Sequence, residues 1–406
     1  MRTVDVDAHL HEPLDWLAQA DPALAETLGP PLRFMEVVDG VFGFGDSALR
    51  LLPEHQQPKR LEERVPPGFI THLEITDDRQ PADHLGLDEQ AYFNADQRAR
   101  WCDTRGIAVQ FLNPTFLAGA FVQAGRAKRT DLTQSISRAW NTWASMQVED
   151  HVDRLIPVTQ LDFHDIEWTL GEMARMRERG SRAFVLPPMP VPTPGEGRTL
   201  GRSITHPDFE PIWDAAEDLG MAAFAHVGFS RERINPGWAN NGSESVLTFN
   251  VLSSMNSLAP QLLLAALALD GLLERHPKLV VVAEEVGIDW LPHVVTVLDA
   301  AVGRVPEVLA DDEYRPPILQ TGDTYRLPLT PVEYLQRQVR VTPLVASHPI
   351  ESVLRAVPPE LLCFSSDYPH VEGASDAVAI CERQLADFDD EVRRLFFEGS
   401  ADLLDV

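Results

Sequence analysis

The sequence predicts an α/β chain folded as a (β/α)8 TIM barrel, with a long insertion after strand 1. Three observations predict it. Eight short apolar runs alternate with helix-like stretches along the chain. No Gly-x-Gly-x-x-Gly follows an early strand, which counts against the doubly wound, dinucleotide-binding alternative. Histidines and carboxylates close several of the runs, and an α/β barrel gathers its chemistry at the carboxyl ends of its strands.

Strand 1 lies within the first twelve residues. Val4, Val6, Ala8 and Leu10 alternate with Asp5, Asp7, His9 and His11. A strand has this period of two, so the acids and imidazoles are expected on one face. Charged groups are rarely buried without a partner, and a metal ion is one such partner. An exposed edge strand is the plainer reading, but it leaves Val4, Val6 and the stop at Pro13 unexplained. Residues 13–87 are rich in Pro, Gly and charge and read as an irregular insertion packed over one end of the barrel.

From there helices and strands alternate. Helical stretches at 88–104, 131–147, 165–179 and 211–219 precede apolar runs at 107–112, 155–161, 182–186 and 221–226. A helix at 261–275 leads to a strand at 279–284, and a helix at 291–305 is followed by an acidic, proline-rich stretch. A strand at 339–344, a helix at 351–356 and a strand at 361–365 complete the series. Helices at 375–388 and 391–404 end it, the last forming a C-terminal helical segment over 389–406. Residues 1–406 are read as a single barrel domain.

Composition narrows the partners. The chain has 406 residues, 44% of them hydrophobic, enough for a large core. A formal net charge of -28 repels phosphate backbones and anionic lipid, so neither nucleic acid nor membrane is an expected partner. An anionic small molecule remains compatible, because a metal or a local arginine reverses the field inside a pocket. Three cysteines, Cys102, Cys363 and Cys381, are odd in number. They read as free thiols in a reducing cytoplasm. The N-terminus opens on a charged strand with no signal-peptide pattern, and the apolar run 258–273 is too short to span a bilayer.

The predicted strand ends carry the chemistry. Strand 1 ends in Asp7, His9 and His11, strand 5 in His226, strand 6 in Glu284 and Glu285, strand 8 in Asp367. These are oxygen and nitrogen ligands suited to zinc or manganese. Each has a plainer reading: His226 as a hydrogen-bonded structural residue, Asp367 as a turn or cap aspartate, the two glutamates as a salt-bridged strand end. Their convergence at one end favours a metal site. Glu284 or Glu285 could serve as a general acid/base, and His370 could line the pocket or orient a ligand. His55, His72, His84, His151 and His164 read as surface or supporting groups. Arg182, Arg231 and Arg233 could meet a substrate carboxylate, though solvated arginines are the plainer reading.

These motifs resemble the amidohydrolase-related branch that contains aminocarboxymuconate-semialdehyde decarboxylase and γ-resorcylate decarboxylase. The resemblance covers nearly the whole chain. It rests on Val4-Asp-Val-Asp-Ala-His-Leu-His-Glu-Pro13, His206-Pro-Asp-Phe-Glu-Pro-Ile-Trp213, His226-Val-Gly228, Glu285-Val-Gly-Ile-Asp-Trp-Leu-Pro292 and Ser366-Asp-Tyr-Pro-His370. It implies a metal-dependent barrel with one divalent ion, zinc expected and manganese the alternative, and a homodimer. Its strand-1 pair falls on Asp7 and His9, with His11 the alternative ligand one pleat away. His226 matches the strand-5 ligand, and Asp367 the strand-8 aspartate that binds metal and handles protons. Two departures stand out: Glu285 where the studied decarboxylases carry a catalytic histidine, and Ser400 where asparagine is usual.

The resemblance implies non-oxidative decarboxylation of an aromatic or unsaturated carboxylic acid, with Asp367 as proton donor. Metal-assisted hydrolysis of an amide, lactone or related bond is the alternative, and the missing strand-6 histidine favours it. A scaffold without chemistry is the third reading, and the intact Asp7, His9, His226 and Asp367 count against it.

Overall fold

A computed structural model describes residues 2–13, 15–28, 35–38, 41–44, 94–115, 130–187, 190–192, 201–227, 258–302, 325–345, 348–370, 373–374 and 376–406. Seven strands form its central sheet: β1 (Thr3–Leu10), β2 (Ile107–Pro114), β3 (Leu155–Thr159), β4 (Ala183–Val185), β5 (Ala222–His226), β6 (Val281–Glu284) and β7 (Val339–Val341). Each pairs in parallel with the one before it. The eighth strand expected at 361–365 does not form as such; single bridges from Leu362 to Val341 and from Tyr368 to Ala8 link this stretch to the two edges. Cys363 donates its N–H to the Val341 carbonyl on one side, and Asp367 donates to Asp7 on the other at 2.9 Å. The curled sheet is consistent with a TIM-type barrel.

Helices follow their local signals. Ala95–Arg105 begins at Asn94, whose side chain accepts from the Gln97 N–H, and stops at the left-handed Gly106. Pro331–Gln338 opens on a capping box between Thr330 and Glu333. The stretch expected as one helix over 261–275 is two, Leu258–Leu269 and Leu272–Arg275, because Gly271 takes a φ of 78° between them. Within 13–87, Trp16–Ala20 and Pro22–Leu28 are helical and Met35–Val38 pairs with Val41–Phe44, so this region is less irregular than expected. Trp16 packs against Trp143 of helix Thr130–Gln147. The rest of 13–87, with His55, His72 and His84, lies outside the described residues, as do Arg231 and Arg233. Among the described residues no helix is long and apolar enough to cross a membrane.

The sheet has two apolar faces. Val4, Val6, Val109, Phe111, Ile156, Val158, Phe224, Val282 and Cys363 pack together from strands all around the sheet. The opposite face joins the helices in a larger core. Strand β1 departs from the strict alternation expected of it. Its register with β2 shifts between Asp5 and Ala8. Val4 and Val6 belong to the enclosed cluster, whereas Ala8 and Leu10 belong to the helix-facing core. A bulge of this kind changes the face a strand presents. Asp5 therefore does not share a face with Asp7 and His9.

Candidate metal centre

The alternation of each strand decides what reaches the centre. Phe224 is enclosed, so His226 two residues on points the same way, and Val282 does the same for Glu284. Asp367, beyond the enclosed Cys363, is set instead by a left-handed backbone and its N–H bond to the Asp7 carbonyl. On β1 the bulge brings Asp7 and His9 to this face.

The side chains meet closely. His9 Nδ1 donates to the Pro114 carbonyl at 2.9 Å, and His226 Nδ1 to the Val227 carbonyl at 2.6 Å. Both rings therefore turn Nε2 inward, where the two atoms lie 3.2 Å apart. Asp7 Oδ1 is 3.4 Å from His9 Nε2 and 3.5 Å from His226 Nε2. Asp367 Oδ1 is 3.5 Å from His9 Nε2, and Glu285 Oε2 is 3.3 Å from His226 Nε2. His370 stacks on His9 with ring centroids 3.8 Å apart, its Nδ1 2.9 Å from Asp367 Oδ1. Asp7 Oδ2 has no hydrogen-bond partner among the described residues, on a side chain 1% exposed. Inward imidazole nitrogens, neighbouring carboxylates and a buried carboxylate oxygen without a partner fit the donor chemistry of a divalent cation.

Backbone strain concentrates here. Of the three non-glycine residues with left-handed φ among the described residues, Glu285 and Asp367 (both 53°) belong to the centre. Such conformations cost about 1–2 kcal/mol each and persist where the surroundings enforce them. The Glu285 N–H donates to Thr342 Oγ1 at 3.1 Å, and Asp367 is held by its bond to Asp7.

Charges are set by burial and neighbours. Burial alone would raise the Asp7 carboxyl, but His226 and His9 outweigh it and hold Asp7 well below the usual carboxylate range. Burial and the adjacent His370 push His9 down to about 3. Burial also lowers His226, yet Asp7 overrides it and the imidazole rises to about 9. Burial, reinforced by Asp7, raises Glu284 well above its ordinary range. Without a cation, Asp7 is thus ionised, His9 neutral and His226 protonated.

Asp5 anchors a separate network behind the centre. Its carboxylate accepts from the Ser366 N–H (2.8 Å), the Ser366 hydroxyl (2.6 Å) and the Gln110 amide (2.7 Å). Arg98 donates to Gln110 Oε1 and to the His9 carbonyl. This buried frame ties together the backbones that carry His9 and Asp367. Burial lifts Asp5 to about 7 against these hydrogen bonds.

The expected ligands fall into two candidate groups that share His9: Asp7, His9 and His226 in one, and His9, Glu285, Asp367 and His370 in the other. His11 belongs to neither candidate ligand group, its ring centroid 6.5 Å from that of His370. Arg182 is turned away from any substrate: it precedes β4, at the end opposite the centre, and donates to the Asp405 carbonyl at 2.8 Å. His151 pairs with Asp96 and His164 with Asp162, and neither histidine belongs to a candidate ligand group. The sequence reading missed Asn113, whose amide lies 3.4 Å from Asp7 and 3.2 Å from Glu284. A polar residue closing an apolar strand just before Pro114 was the available signal.

An amidohydrolase family model matches residues 6–405. The chain belongs to this family. No curated protein matches it. Among solved structures, it is similar to an amidohydrolase from Mycobacterium avium subsp. paratuberculosis K-10, at 23% identity and a TM-score of 0.70, over 100% of this chain and 98% of that one. It is also similar to 2,6-dihydroxybenzoate decarboxylase from Rhizobium, at 16% identity and a TM-score of 0.54, over 100% and 99% of the two chains. A third is 5-carboxyvanillate decarboxylase from Novosphingobium aromaticivorans, solved with manganese and 3-methoxy-4-hydroxy-5-nitrobenzoic acid, at 15% identity and a TM-score of 0.56, over 100% and 97%. At these identities the likeness is one of fold.

Proposed function

We propose that the chain is a metal-dependent carboxy-lyase that removes carbon dioxide from an aromatic or unsaturated carboxylic acid. One observation carries this reading. Asp7, His9, His226 and Asp367 converge at the strand ends of a fold shared with proteins described as hydroxybenzoate and carboxyvanillate decarboxylases. When bound by these four side chains, a zinc or manganese ion supplies a Lewis-acidic charge for the substrate carboxylate and a neighbouring oxygen.

The chain's own groups handle the proton. Asp367 is the group that delivers a proton to the substrate carbon, with the His370 ring beside it, Nδ1 2.9 Å from Asp367 Oδ1. The carbon–carbon bonding pair stays on that carbon as carbon dioxide leaves, and the proton forms the new C–H bond. One carboxylate and one proton give one carbon dioxide and one C–H, with no oxidant or reductant. Glu285 stands beside His226, at the edge of the place a substrate would take, and Asn113 steadies Asp7.

Hydrolysis is the second reading, favoured by Glu285 itself. A carboxylate 3.3 Å from His226 Nε2 suits a base that takes a proton from water. A panel of hydroxybenzoates and muconates, run in oxygen-18 water, separates the two. Carbon dioxide release without oxygen uptake supports the lyase. Labelled oxygen in the product, with no carbon dioxide formed, would replace it with the hydrolase.

A further inference from the structure

Glu285 should not be in the centre by strand alternation alone. Val282 and Glu284 face the enclosed side, so the next residue is due to face the helices. Its left-handed backbone, fixed by the bond to Thr342 Oγ1, turns the side chain back inward. Left-handed backbone at a glutamate is uncommon, and at such a place it marks a side chain held where the site needs it.

The distances say what it is held for. With metal–ligand bonds of about 2.1 Å, two donors on one ion lie roughly 3.0 Å apart at a right angle and roughly 3.4 Å apart at a tetrahedral angle. The pairs His9–His226, His9–Asp7, His226–Asp7 and His9–Asp367 span 3.2 to 3.5 Å. The pair His226–Glu285, at 3.3 Å, is an edge of the same length. Glu285 also offers an oxygen within 4.8 Å of ligand atoms from His9, Asp367 and His370. Asp7 Oδ2, buried and without a hydrogen-bond partner among the described residues, is a free donor atom of the kind a cation takes.

We infer that Glu285 is a fifth protein donor to the cation, and that three carboxylates with two imidazoles shift the centre's preference toward manganese relative to zinc. This rests on the metal reading proposed above. Zinc favours four ligands with nitrogen or sulfur among them, whereas oxygen-rich sites of higher coordination suit manganese.

The test is titration calorimetry of the full, metal-stripped chain with Mn²⁺ and separately with Zn²⁺, in wild type, Glu285→Gln and Glu285→Asp. Glu285→Gln keeps the shape and removes the charge. It should weaken Mn²⁺ by about tenfold or more and Zn²⁺ by clearly less, with stoichiometry unchanged. Glu285→Asp keeps the charge on a shorter arm and should fall between, which preserves the test if the Gln variant fails to fold. Affinities for both ions unchanged in the variants would overturn the ligation. Equal losses for the two ions would overturn the shift in preference. A wild type that binds neither ion would overturn the metal reading as well.

Discussion

His9 and His226 turn their Nε2 atoms toward each other across 3.2 Å, because each has committed its Nδ1 hydrogen to a backbone carbonyl. Two neutral rings held this way oppose their lone pairs. A proton or a cation between them removes the repulsion, and Asp7, 3.4 and 3.5 Å from the two nitrogens, favours either. In the proposed centre a proton on His226 fills this place until a cation displaces it.

Ion uptake should therefore release about one proton near neutral pH. Although burial lowers His226, Asp7 lifts it to about 9, so its Nε2 proton blocks the cation at lower pH. Affinity should rise with pH by at most about tenfold per unit and level off above about pH 9. Calorimetry in two buffers of different ionisation enthalpy measures the proton directly. A binding heat that is the same in both buffers would contradict this exchange.

Asp367→Asn removes the proton donor while leaving an oxygen toward the centre. At saturating metal, carbon dioxide release should fall by about 10² to 10⁴-fold in kcat. Metal analysis of the same samples should still find the ion. Undiminished turnover would remove Asp367 from the proton path.

The fold was largely legible because its signals are local. Runs such as Leu279–Ala283 are apolar and β-branched, bounded by turn and cap residues, and seven of the eight expected strands appear where such a run stands, the run at 361–365 making only an isolated bridge at Leu362. His226 was legible for the same reason, since alternation from Phe224 places it. The exceptions come from backbone irregularities that leave no mark in a pattern of residue types. The bulge in β1 sends Asp5 to one face and Asp7 to the other, and the left-handed turn at Glu285 reverses its expected direction. Asn113 matters through its contacts across the sheet with Asp7 and Glu284, far from it in sequence.

Asp5→Ala should be strongly destabilising although Asp5 sits outside the candidate ligand groups. It leaves the Ser366 N–H, the Ser366 hydroxyl and the Gln110 amide without their buried acceptor. The expected cost is about 3–5 kcal/mol, and Asp5→Asn, which keeps one acceptor oxygen, should cost less. Denaturant unfolding of the metal-free proteins measures both. Equal stability of wild type and Asp5→Ala would show that the network contributes nothing.

Gly373→Ala should disturb the loop beside His370. A Cβ there would lie 2.6 Å from the carbonyl oxygens of both Ser366 and Asp367, which are backbone atoms with little room to yield. A loss of roughly 1–3 kcal/mol is expected in thermal or denaturant unfolding. An unchanged midpoint would show that the loop relaxes freely.

The central claim is a divalent centre built on Asp7, His9, His226 and Asp367. Its most direct test is metal content after purification without chelators, in wild type, Asp7→Ala and His11→Ala. Wild type and His11→Ala should each hold about one ion per chain and Asp7→Ala almost none, with all three folded. Full occupancy in Asp7→Ala, or its loss in His11→Ala alone, would contradict the assignment and move the centre outward along β1.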